Sequence, residues 1–324
     1  MCFFKKAMRT AIMNINWIEF CATAVRLATP LVFAALAAAI NSKAGMFNMG
    51  IEGMMLCSAL GAVIFAQMGG VWVGLLGAVL IGLLAGMIIS FASLTGKTDL
   101  YLTCIAFNLA ATGGTVFIMY LLTGEKSTTS GAMRAYEIPQ ISIPVLKDIP
   151  FIGRILFQQS LLTYLAAFAV FAVWFLLKKT RIGLRLRSVG ENPKAAESVG
   201  ISVTKIGYIA FAISGILCGF AGAFMSMSWV TFFMKNMVNG RGYIGLSAMN
   251  MASANPVGAA LASLFFGFSD AAATTLKTQS NFPTEFLEMI PYVATILSIV
   301  VINLIRIVKL RRIEKGSKVT VAAK

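Results

Sequence analysis

The sequence predicts an all-α, polytopic membrane helix bundle, and three observations predict it. Of the 324 residues, 58% are hydrophobic and only 12% are charged, with a mean hydropathy of +0.84. Soluble domains carry about 25% charged residues, and half of that cannot solvate the surface of so long a chain. Apolar runs of about 20 residues, enough to cross a bilayer as helices, recur along the whole sequence. The basic residues behind the net charge of +15 gather at helix ends and in two polar stretches, 178–205 and 306–324. Cytoplasmic loops concentrate Lys and Arg in this way. No basic stripe lies on a folded soluble domain, so no nucleic-acid partner is expected.

The elements follow in order. A lead of about 18 residues carries Lys5, Lys6 and Arg9 and ends near Trp17, an interface residue by type. Its middle is too polar for a cleavable signal. Spans are expected at about 20–41, 46–67, 71–93 and 99–122. A polar stretch, 123–158, contains Pro139, Pro144 and Pro150, which argue for extended loop. A fifth span covers about 159–177. The basic loop 178–205 comes next, then spans at about 206–228, 240–254, 257–276 and 286–308, and a basic tail. With loop and tail in the cytoplasm, about nine crossings place the N-terminus outside and the Pro-rich loop outward. The whole chain then reads as one transmembrane domain.

Two of these spans are broken. Asn48, Gly50, Glu52 and Gly53 crowd the start of the second, and NGRGYIGLSAMNMASANP interrupts the seventh. Aligning Gly53 with Gly242 pairs Ser58 with Ser247. In each copy a turn follows (Gly69 and Gly70; Asn255 and Pro256), and then a small-residue span. Residues 20–122 and 206–308 therefore read as two inverted repeats, whose interrupted helices point to a transport path near the midplane. Asn48, Glu52, Asn108, Ser247 and Asn250 are the candidates to line it. A carboxylate inside a span is expensive, so Glu52 either holds the break together or meets the solute. Asn108 and Asn250 likewise bond a neighbouring helix or a polar solute. Gly70, Gly74, Ala78, Gly82 and Gly86, and then Gly215, Gly219 and Ala223, form small-residue stripes that let helices approach closely.

Chemistry is sparse. There is no His, and the five Cys show no ligand spacing, so no metal site is expected. The membrane-level acids Glu52, Asp99, Asp270, Glu285 and Glu288 form no catalytic pair, so the chain does not read as an enzyme. Gly96, Lys97 and Thr98 mimic the end of a phosphate loop, but Phe91 stands where its first Gly belongs. No cofactor is expected on this chain.

The informative stretch is 178–201, KKTRIGLRLRSVGENPKAAESVGI. Its front, with Lys178, Lys179, Arg181, Arg185 and Arg187, fixes the side of the membrane. After Gly190 and Glu191, Asn192 caps a short helix with Pro193 in its first turn. Ala195, Ala196 and Val199 give it an apolar face, and Gly200 ends it. Two turns are not stable alone, so either the bundle end or a soluble partner holds this helix.

The run TRIGLRLRSVGENPKAAESVGISVTKI resembles the coupling loop of ABC-importer permeases of the branched-chain amino acid, ribose and nucleoside group. INSKAGMFNMGIEGMMLCSALGAV and RGYIGLSAMNMASANPVGAALASLFFGFSDA are similar to its two half signatures, and the NxGxEG form to its nucleoside and simple-sugar members. FPTEFLEMIPYVATILSIVVI is similar to the final span of the nucleoside type. The resemblance covers about residues 25–308. Around 250–256 the chain is polar and small where the family runs apolar, and it lacks the extra N-terminal span of ribose-type members.

The resemblance implies a permease subunit of an ATP-driven importer in a bacterial cell membrane, with nucleosides as solute. Its partners would be a second, related permease, a cytoplasmic ATPase holding ATP and Mg, and an external binding protein. Gly190, Glu191, Asn192, Pro193, Ala195, Ala196 and Gly200 would form the ATPase-coupling helix. The same machine for a simple sugar or a branched-chain amino acid is the near alternative. An ion-coupled secondary transporter using Glu52 is the distant one.

Overall fold

A computed structural model describes residues 17–133, 135–142, 158–279, 286–287, 289–301 and 304. The lead with Cys2, Lys5, Lys6 and Arg9, Pro144 and Pro150 of the 123–158 stretch, Glu285, Glu288 and the basic tail lie outside those residues.

At the centre is α1 (Trp17–Lys43), whose Phe33, Leu36 and Ile40 are wholly enclosed. It is so apolar and so rich in alanine that neighbours pack on every side of it. A short extended segment leads to α2 (Ile51–Ser90), in which Gly69 and Gly70 leave helical geometry, Gly70 at φ 81°. The chain reverses there, which only a residue without Cβ does cheaply. The two limbs lie against each other, with Gly77 facing Phe65 and Gly74 facing Ala66. Gly70 is thus a turn residue rather than the first member of the small-residue stripe.

The rest of that stripe does bring backbones together. Gly82 sits against Gly215 and Gly219 of α7 (Val203–Phe224), and Gly86 sits against the Phe211 carbonyl. A π-helical turn, Phe91–Thr95, links α2 to α3 (Leu100–Thr123), which Asp99 caps through Leu102 N. The 123–158 stretch is non-helical from Gly124 to Pro139 where it is described, then pairs β1 (Gln140–Ser142) with β2 (Gln158–Ser160). After α4 (Leu161–Lys179) comes an element that the basic residues concealed. Residues read as an orientation loop form α5 (Arg181–Glu191), capped by Thr180 and buried through Gly183, Leu186 and Val189. The short α6 (Pro193–Ser198) precedes α7, which ends in a second π turn, Met225–Trp229.

Gly207, near the start of α7, faces Met46, just past the end of α1, so α1 and α7 run antiparallel. The expected crossing at 240–254 is α8 (Arg241–Met251), 11 residues long, about 16 Å and half the hydrocarbon thickness. Then come α9 (Pro256–Gln279) and α10 (Met289–Val301). Among the described residues six helices are long and apolar enough to cross a membrane, Ile51–Thr95 being counted as one.

Candidate functional site

The extended segment before α2 runs from Met46, level with Gly207, to Asn48, level with Ser214 at mid-length of α7. It therefore enters the bundle as bare backbone. Buried peptide groups away from water need partners, and two amides supply them. Asn48 Oδ1 accepts from Gly50 N (2.9 Å) and from the Cys104 thiol, and Asn48 Nδ2 donates to Ser214 Oγ. Asn108, on α3, accepts from Gly53 N at 2.9 Å. Its Nδ2 donates to the Met49 carbonyl and to the Tyr243 hydroxyl.

Glu52 joins the two breaks. Its Oε1 accepts from Gly240 N at 2.7 Å and its Oε2 from Gly242 N at 2.8 Å. These are charge-assisted bonds to the first amides of α8, and Glu52 itself stands in the first turn of α2. One carboxylate thus faces two helix N-termini, where the helix dipole favours negative charge. Gly240, at φ 80°, starts α8, and a Cβ on Gly242 would run into Glu52. Glycine is required there by close approach. The neighbouring Arg241 pairs with Asp270 of α9 at 3.1 Å, with exposures of 14% and 17%. Its guanidinium also lies 4.4 Å from the Trp229 ring centre.

Ser247 donates to its own helix at Tyr243 O and is half-buried, while Asn250 is exposed. Tyr243, Ser247 and Asn250, spaced by four and three, share the one face of α8 that is not packed inside the chain. The structure thus joins Asn48, Glu52 and Asn108 through α8 and places Ser247 and Asn250 further along that helix. Tyr243, Arg241 and Trp229 were not singled out from the sequence, and Asp270 was read only as one of the membrane-level acids. An isolated Arg and an isolated Asp in apolar spans, where unpaired charge is costly, were the available signal.

The second candidate site is the stretch 190–200. Asn192 Oδ1 accepts from Ala195 N at 3.1 Å, Pro193 opens α6, and Gly200 closes it at φ 82°. Ala196 is 3% exposed and packs within the chain, so it is an anchor and not part of an open face. Glu191, Asn192, Pro193, Ala195 and Gly200 are exposed, and Val199 is 73% exposed. Gly190 lies so close to the backbone of residues 43–45 that a Cβ has no room. Lys43 Nζ in turn donates to Ser253 O, between α8 and α9. The loop therefore abuts the chain that leads into the first helix break.

The chain is 35% identical over 283 residues to the guanosine ABC transporter permease protein NupQ of Bacillus subtilis, covering 84% of this chain and 88% of that one. It is 34% identical to the nucleoside ABC transporter permease protein NupC of Lactococcus lactis subsp. cremoris, covering 83% and 87%. It is 32% identical to the putative glucose ABC transporter permease protein TsgC13 of Haloferax volcanii, covering 79% and 76%. No solved structure matches at a significant level. A family described as the branched-chain amino acid transport system / permease component matches residues 20–302, and with nearly the whole chain covered, this protein belongs to that family.

Proposed function

We propose that this chain is the membrane-spanning permease subunit of an ATP-driven importer of nucleosides. The observation that carries the substrate is the near-full-length similarity to two permeases named for guanosine and for nucleosides. The glucose-permease relative is less similar and keeps a sugar as the second reading.

The proposed path runs past the Glu52 lock and down the Tyr243, Ser247 and Asn250 face of α8. Glu52, Asn48 and Asn108 hold the breaks, since each spends its hydrogen bonds on protein groups. Ser247 and Asn250 meet solute. Two facts support an inverted-repeat plan of about nine crossings, counting the α2 limbs separately and α8 as one. Both broken helices start at Glu52, and they run to opposite ends of the bundle. The first limb of α2 ends near α7's far end, where Gly74 meets Met227, and α8 ends beside Lys43.

A cytoplasmic ATPase, which would hold the ATP and Mg, docks on the exposed members of 190–200. Gly190 passes the movement to residues 43–45 and so to the segment ahead of Glu52. A second permease subunit completes the path, and an external binding protein meets the outer loop. The N-terminus lies outside and the C-terminus in the cytoplasm.

Proteoliposomes holding this chain and the subunits that co-purify with it test the reading. Uptake of labelled uridine is expected to require ATP on the ATPase side and to survive collapse of proton and sodium gradients. Uptake driven by an ion gradient without ATP would overturn it in favour of a secondary transporter.

A further inference from the structure

The segment between α7 and α8, residues 230–240, has no regular structure, and the helix-break lock uses only its end. It bends through three non-glycine residues of left-handed backbone, Thr231 (φ 56°), Asn236 (φ 55°) and Asn239 (φ 45°). Such conformations persist only where the surroundings fix them, and they cluster at ligand sites. Here the outer loop does the fixing. Ala135 N donates to Thr231 O, Thr129 N to Phe233 O, and Lys235 N to Ser127 O, all at 2.8–2.9 Å.

The folded-back segment lines an open cavity of about 370 Å³, within the size range of small-molecule sites. Trp229, Val230 and Met237 make its apolar side, and Lys235, Asn236 and Asn239 its polar side. Trp229 is 37% exposed. Arg241, which also lines the cavity, lies over part of the indole. Asp270 balances the charge of Arg241. The side-chain amides of Asn236 and Asn239 are exposed and make no hydrogen bond among the described residues.

A planar aromatic platform beside unengaged amide donors and acceptors suits a flat solute with a polar edge. Every nucleobase offers a π-face to an aromatic side chain and a hydrogen-bonding edge to an amide. A sugar can lay a C–H face on an aromatic ring, but it has no π-system to stack and no planar edge for the amides to read. We propose that this cavity receives the nucleoside on the outer side of the permease, with Trp229 stacking on the base and Asn236 and Asn239 reading its edge. The proposal rests on the importer reading for the solute and for the side of the membrane. Because Arg241 lies between Trp229 and Asp270, one residue from the amides that Glu52 holds, an occupant on Trp229 bears on the end of α8.

The test uses the full chain in lipid nanodiscs with Trp17, Trp72 and Trp174 replaced by Phe. That leaves Trp229 alone of the four tryptophans. Uridine and inosine are expected to quench its fluorescence saturably, and ribose to leave it unchanged. Asn236→Ala with Asn239→Ala is expected to raise the half-saturating concentration about tenfold, from two lost hydrogen bonds. In uptake by the assembled transporter, Trp229→Phe keeps the platform, and Trp229→Leu is expected to raise half-saturation about tenfold or more.

Nucleoside uptake by the unaltered transporter with Trp229 silent to saturating uridine and inosine would overturn the site and leave the importer reading standing. Quenching that the double alanine variant does not weaken would also overturn it. Uptake and quenching by ribose alone would overturn both.

Discussion

At the scale of single residues, Glu52, a carboxylate within a span, has both of its oxygens hydrogen-bonded. Glu52 receives two backbone amides, so Glu52→Ala leaves Gly240 N and Gly242 N without their acceptor. A loss on the order of 2–3 kcal/mol is expected, read as a lowered melting temperature in detergent. Glu52→Gln, which keeps one acceptor oxygen, is expected to fall between. An unchanged melting temperature for Glu52→Ala would remove the lock from the account. Arg241 and Asp270 make a second test. Arg241→Met leaves a buried carboxylate unpaired, at about 3–5 kcal/mol, and adding Asp270→Leu is expected to restore much of it.

These residues differed in how far the sequence disclosed them. Asn48, Glu52 and Asn108 stand out because polar groups inside apolar runs need partners, but nothing in their spacing told pin from path. Whether the partner is backbone or solute depends on which helix end lies opposite, and α8 lies 188 residues away in the chain.

At the scale of elements, the apolar runs gave away most helices and the glycines gave away their contacts. The stripe through Gly74, Ala78, Gly82 and Gly86 packs as its spacing implies. Two elements were misread for physical reasons. α5 hides under three arginines, because only Leu186 and Val189, beside Gly183, mark its inner face. α8 was given a span's length because the small residues after Met251 were counted with it, whereas the helix ends there and 252–254 form a turn.

The coupling loop gains a sharper division. Ala196 is buried and Val199 open, so the two substitutions part ways. Val199→Asp is expected to abolish co-purification of the ATPase while the permease remains folded. Ala196→Asp buries a charge and is expected to unfold the loop itself. Wild-type ATPase recovery with Val199→Asp would move the docking face elsewhere. Gly190→Val, which forces α5 away from residues 43–45, is expected to leave the ATPase bound and stop uptake. Normal uptake by that variant would break the proposed link from loop to helix break.

At the scale of the molecule, the claims concern sidedness and cargo. In a chain whose five cysteines are replaced, Val199→Cys is expected to react with an impermeant maleimide only in inside-out vesicles. Lys126→Cys, on the outer loop, is expected to react only in right-side-out vesicles. Labelling of both from one side would contradict the topology. Cargo was legible only through resemblance to a family, because few polar residues lie inside the apolar runs and their spacing carries no solute signature.

The most direct measurement is therefore competition during ATP-driven uptake of labelled uridine by the reconstituted complex. Unlabelled guanosine, inosine and uridine are expected to suppress uptake, and ribose, glucose and leucine to leave it unchanged. Suppression by ribose or glucose without suppression by the nucleosides would contradict the account.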